Sequence, residues 1–138
     1  MPLRQVALWS CVLSICLAVS GCGAEGREFT ASELVDELNA NGAPFQLEGP
    51  LVNDQESIDV YELSTSTASS PTAHGHAGGG ATLTIAEDED MAVAEFQRCE
   101  SSLTLVCFRV SNGVLQLSDD DPGLLAEVEA AVRAMASE

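Results

Sequence analysis

The sequence predicts an α+β domain of order α-β-β-β-α-β-β-α, with one mainly antiparallel sheet packed against helices. Three observations predict it. Capped segments whose apolar residues recur at steps of three and four stand at both ends of the domain, near residues 30–41 and 121–135. Between them lie five short apolar runs, most of them alternating with period two. One further helical segment, near residues 91–100, separates the third run from the fourth. A parallel pair needs a crossover, and only that helix supplies one, so most pairs are expected to be antiparallel.

The first helix opens at Thr30. Thr30-Ala31-Ser32-Glu33 has the form of a capping box, with Phe29 and Leu34 at the hydrophobic-staple positions. Leu34, Val35 and Leu38 share a face, Gly42 suits the left-handed C′ position, and Pro44 prevents continuation. Phe45, Leu47 and Leu51 mark a first strand, and Pro50 its end or an edge position. Asn53 to Ser57 reads as a turn, with Ile58 to Leu63 returning as a second strand. Residues 64–80 are Ser, Thr, Ala, Pro, Gly and two His, the composition of a flexible loop. Ala81 to Ala86 is a third strand.

Glu87-Asp88-Glu89-Asp90 places four acids where a helix start presents unpaired amides and positive dipole charge. The helix is expected from about Met91 to Glu100, with Val93, Phe96 and Cys99 inward. Leu103 to Val110 is apolar at both alternating sets, which points to a central strand. Arg109 is expected to mark its exposed end. Asn112-Gly113 signals a type I′ hairpin turn into a fifth strand, Val114 to Leu117. Asp121-Pro122 supplies an N-cap and an N1 proline for the last helix, whose stripe is Leu125, Val128, Val132 and Met135.

Aromatic residues are only 4% of the chain, so the core must rely on Leu, Val, Ile and Ala. All 22 acids lie after Cys22, against four arginines and no lysine, which leaves that part at about −18. Such a field repels nucleic-acid phosphates and argues against nucleic acid as a partner. It suits a basic partner.

The N-terminal residues stand apart. Arg4 precedes an apolar run from Val6 to Val19, and Val19-Ser20-Gly21-Cys22 follows at once. A short basic start and a run of roughly 14 mostly apolar residues match a signal-peptide core, short of the roughly 20 residues that span a bilayer. Those last four residues resemble the lipobox of bacterial lipoproteins: an aliphatic residue, two small ones and the cysteine that receives lipid. The resemblance covers residues 1–22 alone. It implies cleavage of residues 1–21, a lipidated Cys22 that binds the membrane, a tether over 22–28, and a single domain over 29–138 facing outside the cytoplasm. An envelope protein is the partner class this location implies.

Cys11 and Cys16 then leave with the signal peptide and Cys22 carries lipid. Cys99 and Cys107 remain, a pair suited to a disulfide in an oxidising compartment, and their spacing is wrong for a C-x-x-C redox motif. His74-Gly75-His76 is the candidate metal feature, since two imidazoles two residues apart can share zinc or copper. A Gly/Ser/Thr loop supplies little of the rigidity that a four-ligand site needs. Gly78-Gly79-Gly80 lacks the Lys-Ser/Thr of a phosphate loop, and no serine sits in G-x-S-x-G. Neither an enzymatic activity nor a cofactor is expected. The reading is a lipid-anchored, non-catalytic binding or accessory module, with metal binding through His74 and His76 as the alternative.

Overall fold

The computed structural model describes residues 26–65, 80–118 and 120–137. They form three helices and one five-stranded antiparallel sheet. In chain order the elements are α1 (Ala31–Ala40), β1 (Phe45–Leu51), β2 (Ile58–Thr65), β3 (Ala81–Ala86), α2 (Glu89–Glu100), β4 (Leu105–Val110), β5 (Gly113–Ser118) and α3 (Pro122–Met135). The strand order is β1-β2-β3-β5-β4. The first three strands form a meander and the last two a hairpin. β3 and β4 run parallel with β5 between them, and α2 carries the chain from one to the other.

α1 begins and ends as its sequence requires. The Thr30 hydroxyl accepts from the Glu33 amide, while the Glu33 carboxylate accepts from both the Thr30 amide and its hydroxyl. At the far end the Ala43 amide reaches the Leu38 carbonyl and the Gly42 amide the Asn39 carbonyl, a Schellman ending with Gly42 at φ +102°. The Asn39 side chain then bonds both backbone groups of Phe45, setting the angle at which β1 leaves.

Helices cover both faces of the sheet. Leu34, Val35 and Leu38 of α1 and Val128, Ala131 and Met135 of α3 meet Phe45, Leu63, Leu83, Leu115 and Leu117 in the main core. The opposite face of β3 and β5 carries Ala86 and Val114, against Ala92, Met91 and Phe96 of α2. At 25 cal/mol per Å², each fully buried Leu or Val contributes about 1.5–3 kcal/mol. The apolar stripes of α1 and α3 therefore dominate the stability of this domain.

Several expectations are corrected. β4 is an edge strand, and the central strand is β3. Val106, Phe108 and Val110 lie on the main-core side of β4, while Leu105, Cys107 and Arg109 lie on the α2 side. Apolarity on both faces therefore reports the layers above and below, not strand neighbours to left and right. The strand also starts at Leu105 rather than Leu103, because residues 101–104 form the exit from α2 and leave Leu103 97% exposed. The α2 helix begins at Glu89, two residues early, and its buried residues are Ala92, Glu95 and Cys99, with Val93 and Phe96 only half-buried. The small Ala92 admits a close approach and the disulfide pulls Cys99 down, so that rotation wins. In α3, Ala131 is buried while Leu125 and Val132 are half-buried. Ser64 and Thr65 belong to β2, opposite Gln46 and Phe45, rather than to the loop.

The hairpin turn is also displaced. Val110 pairs with Gly113, so the two turn residues are Ser111 and Asn112, and only Ser111 has positive φ, at +50°. That is not the type I′ geometry expected for Asn112-Gly113. Gly113 is needed in the strand itself: a Cβ there would lie 2.2 Å from Leu34 Cδ2.

Candidate functional site

The polar features form three groups: the β4–β5 turn, the two ends of α2, and a groove beside α2. Asn112 is buried within the turn, and its side chain bonds the Phe29 amide, the Phe29 carbonyl and the Ala86 carbonyl at 2.8, 3.1 and 3.1 Å. The Asn112 carbonyl accepts in turn from the Ala86 amide. The Ser111 hydroxyl donates to the Arg27 carbonyl, and the Arg27 guanidinium sits 4.6 Å from the Phe29 ring centroid. Together these bonds fasten the segment ahead of α1 to the hairpin. Their role is architectural: no buried polar side-chain atom among the described residues lacks a partner.

At the C-terminal end of α2, Cys99 and Cys107 are joined in a disulfide with Cα atoms 6.1 Å apart. It ties the last turn of α2 to the middle of edge strand β4. At the other end, Asp88 caps the helix by accepting from the Met91 amide at 2.8 Å. Glu89 accepts from Arg109 at 2.9 Å, and Arg109 also donates to the Ser111 carbonyl. Arg109 thus closes β4 against the start of α2 as a half-buried ion-pair partner, instead of marking an exposed strand end. Two members of the acidic run Glu87–Asp90 are therefore engaged in structural contacts. Asp121 likewise caps α3 through the Gly123 and Leu124 amides.

A shallow groove of about 300 Å³ runs between α2 and the turn before β2, lined by Gln55, Ser57, Ile58, Met91, Ala94 and Glu95, among others. That is the small end of the range for ligand pockets. Glu95, with its side chain 10% exposed, forms one wall and pairs with Arg98, 63% exposed, one helical turn on. The pair was legible as an i,i+3 spacing, but its burial was not. The groove can accept a small polar or cationic group against the Glu95 carboxylate. It gathers no nucleophile with a neighbouring base.

The Thr30–Glu33 contact shifts one carboxyl. The Thr30 amide and then its hydroxyl bond the Glu33 carboxylate and hold it below its ordinary pKa. Of the residues singled out in the sequence, Cys22, His74 and His76 lie outside the described residues. Among the described residues, no group of three or more His, Cys, Asp or Glu side chains is placed to hold a metal ion. No described helix is long and apolar enough to cross a membrane. No family model, curated protein or solved structure matches the chain.

Proposed function

We propose that this protein is a lipid-anchored lipoprotein that presents a small acidic, non-catalytic binding or accessory module outside the cytoplasm. The observation that carries the reading is Val19-Ser20-Gly21-Cys22 directly after the apolar run from Val6 to Val19. Two features support it. The Cys99–Cys107 disulfide suits an oxidising compartment, where such bonds persist. The excess of acids over arginines suits a soluble domain that meets a basic envelope partner. The lipid on Cys22 is the membrane contact in this reading, and no cofactor takes part.

Metabolic labelling with a fatty acid tests it. The expected result is label in the wild-type chain, none in Cys22→Ser, and loss of the variant from the membrane fraction. Unlabelled wild-type protein, or unaltered fractionation of the variant, overturns the reading. A second reading, zinc or copper capture by the loop of His74 and His76, rests on the spacing of those two imidazoles. Titration calorimetry decides it: micromolar binding lost in the double Ala variant supports capture, and absence of binding rejects it.

A further inference from the structure

We propose that β4 is a docking edge for a second copy of this chain, two β4 strands pairing antiparallel about a twofold axis and joining two sheets into one. The inference is independent of the lipid anchor. It starts from the unequal construction of the two edges. The β1 edge is guarded: its register shifts between Leu47 and Gly49, Gly49 has φ +134°, Pro50 lacks a donor and Glu48 adds charge. Bulges, proline and charge are the devices by which sheet edges avoid pairing with other chains.

The β4 edge has none of them. It runs in unbroken register with β5 from Leu105 to Val110, without proline, glycine or bulge. A two-residue hairpin makes its flanking residues, Val110 and Gly113, exchange both backbone bonds. Alternation along the ladder then directs the N–H and C=O groups of Leu105, Cys107 and Arg109 away from β5. Among the described residues, no loop or cap backbone bond reaches those groups. Leu105, 36% exposed, lies along this edge, and Leu103 just beyond its start.

Charge selects the occupant. No acid occurs from Ser101 to Ser118, although the chain carries 22. The only charge in that stretch, Arg109, is already paired with Glu89. Two copies of so acidic a protein repel wherever carboxylate meets carboxylate, and β4 is the edge where they meet without that opposition. Pairing centred on Cys107 sets Leu105 opposite Arg109 of the second copy, which keeps the two guanidinium groups apart. Pairing β4 with the bulged β1 edge instead is obstructed, so assembly stops at a closed pair and does not grow into a filament.

Sedimentation velocity of the full chain in a density-matched non-ionic detergent tests this. An interface this small predicts monomer at about 1 µM and a substantial dimer fraction at several hundred µM, on the order of weak-interface affinities. Raising salt from about 50 to about 500 mM strengthens the dimer, because it screens the repulsion between the acidic copies. Leu105→Pro removes an outward N–H while leaving the β5 ladder intact, and weakens the dimer about tenfold or more. Hydrogen exchange supplies a readout without any variant: amides of Cys107 and Arg109 slow as concentration rises, while those of Val106 and Phe108 stay unchanged. A single monomeric species throughout overturns the proposal. So does a dimer that Leu105→Pro leaves intact, as association through residues 6–19 would be, or exchange at Cys107 and Arg109 that ignores concentration.

Discussion

The side-chain amide of Asn112 holds both backbone groups of Phe29, its Oδ1 accepting from the Phe29 amide at 2.8 Å and its Nδ2 donating to the Phe29 carbonyl at 3.1 Å. The two residues are 83 positions apart, and the contact is buried. Asn112 thus takes the place of a strand neighbour for a residue that belongs to no strand, and its second Nδ2 hydrogen serves the Ala86 carbonyl.

Replacing Asn112 by Ala leaves those backbone groups buried without partners. Each such orphan costs about 1–3 kcal/mol, so a total loss of about 3 kcal/mol is expected after partial relaxation. Asn112→Asp keeps the acceptor but turns the donor towards two carbonyls into an acceptor, and at neutral pH it destabilises at least as much. Urea denaturation followed by circular dichroism measures both. A loss below about 0.5 kcal/mol for Asn112→Ala, the scale of an ordinary surface change, contradicts the clamp.

Gly113→Ala is expected to destabilise by about 1–3 kcal/mol, the usual range for overpacking, because the new methyl collides with the fully buried Leu34 side chain. Leu34→Ala alone costs about 2–5 kcal/mol through the cavity it leaves. In the double variant the methyl introduced by Gly113→Ala occupies part of that cavity. The combined loss should fall short of the sum of the single losses by about 1 kcal/mol, the size of coupling between touching residues. Strict additivity in a double-mutant cycle refutes the close approach.

Reducing Cys99–Cys107 opens a loop closed over a sequence separation of 8. Loop-closure entropy for a ring of that size predicts a loss of about 2–3 kcal/mol. The same bond pins α2 to β4, so hydrogen exchange should accelerate first in the last turn of α2, ahead of α1. Comparing oxidised protein with Cys99→Ser/Cys107→Ser in denaturant gives the magnitude. Uniform acceleration across all elements argues against the local pinning.

The pH dependence carried by Glu33 has a definite sign. Its folded carboxyl titrates below the ordinary value of 4.5 because the ionised form accepts from Thr30. Folding therefore favours the charged form, and its contribution is present above pH 4.5 and is lost as pH falls through the folded value. Glu33→Gln should flatten stability against pH in that acid window and leave the slope near pH 7 unchanged. Thr30→Ala should remove the same dependence and cost about 1 kcal/mol through the lost cap. Denaturation midpoints across pH 2–7 in the variants, read as differences from wild type, provide the check (a window set by carboxylate titration, about 2 units either side of the ordinary value).

Local chemistry was readable without the fold. The Thr30–Glu33 box, the Gly42 ending, the Asp121-Pro122 start and the period-two runs each involve residues within a few positions of one another. Their geometry is imposed by backbone sterics and nearby hydrogen bonds, so the element order follows from the sequence itself. The pairing of Cys99 with Cys107 belongs with these, since only two cysteines are left once the first three are set aside.

Lateral position in the sheet, the rotation of α2 and the placement of the hairpin turn were decided only by tertiary packing. A period-two apolar pattern specifies which faces are covered and is silent on which strands lie alongside, so β4 looks central in sequence and stands at the edge in space. The turn falls on Ser111-Asn112 because Leu34, far away in the chain, needs the missing Cβ of Gly113, and because Phe29 needs the Asn112 amide. Those demands come from residues far apart in the chain, Phe29 and Asn112 by 83 positions, that meet only after the helices close over the sheet. No local propensity can encode contacts of that separation.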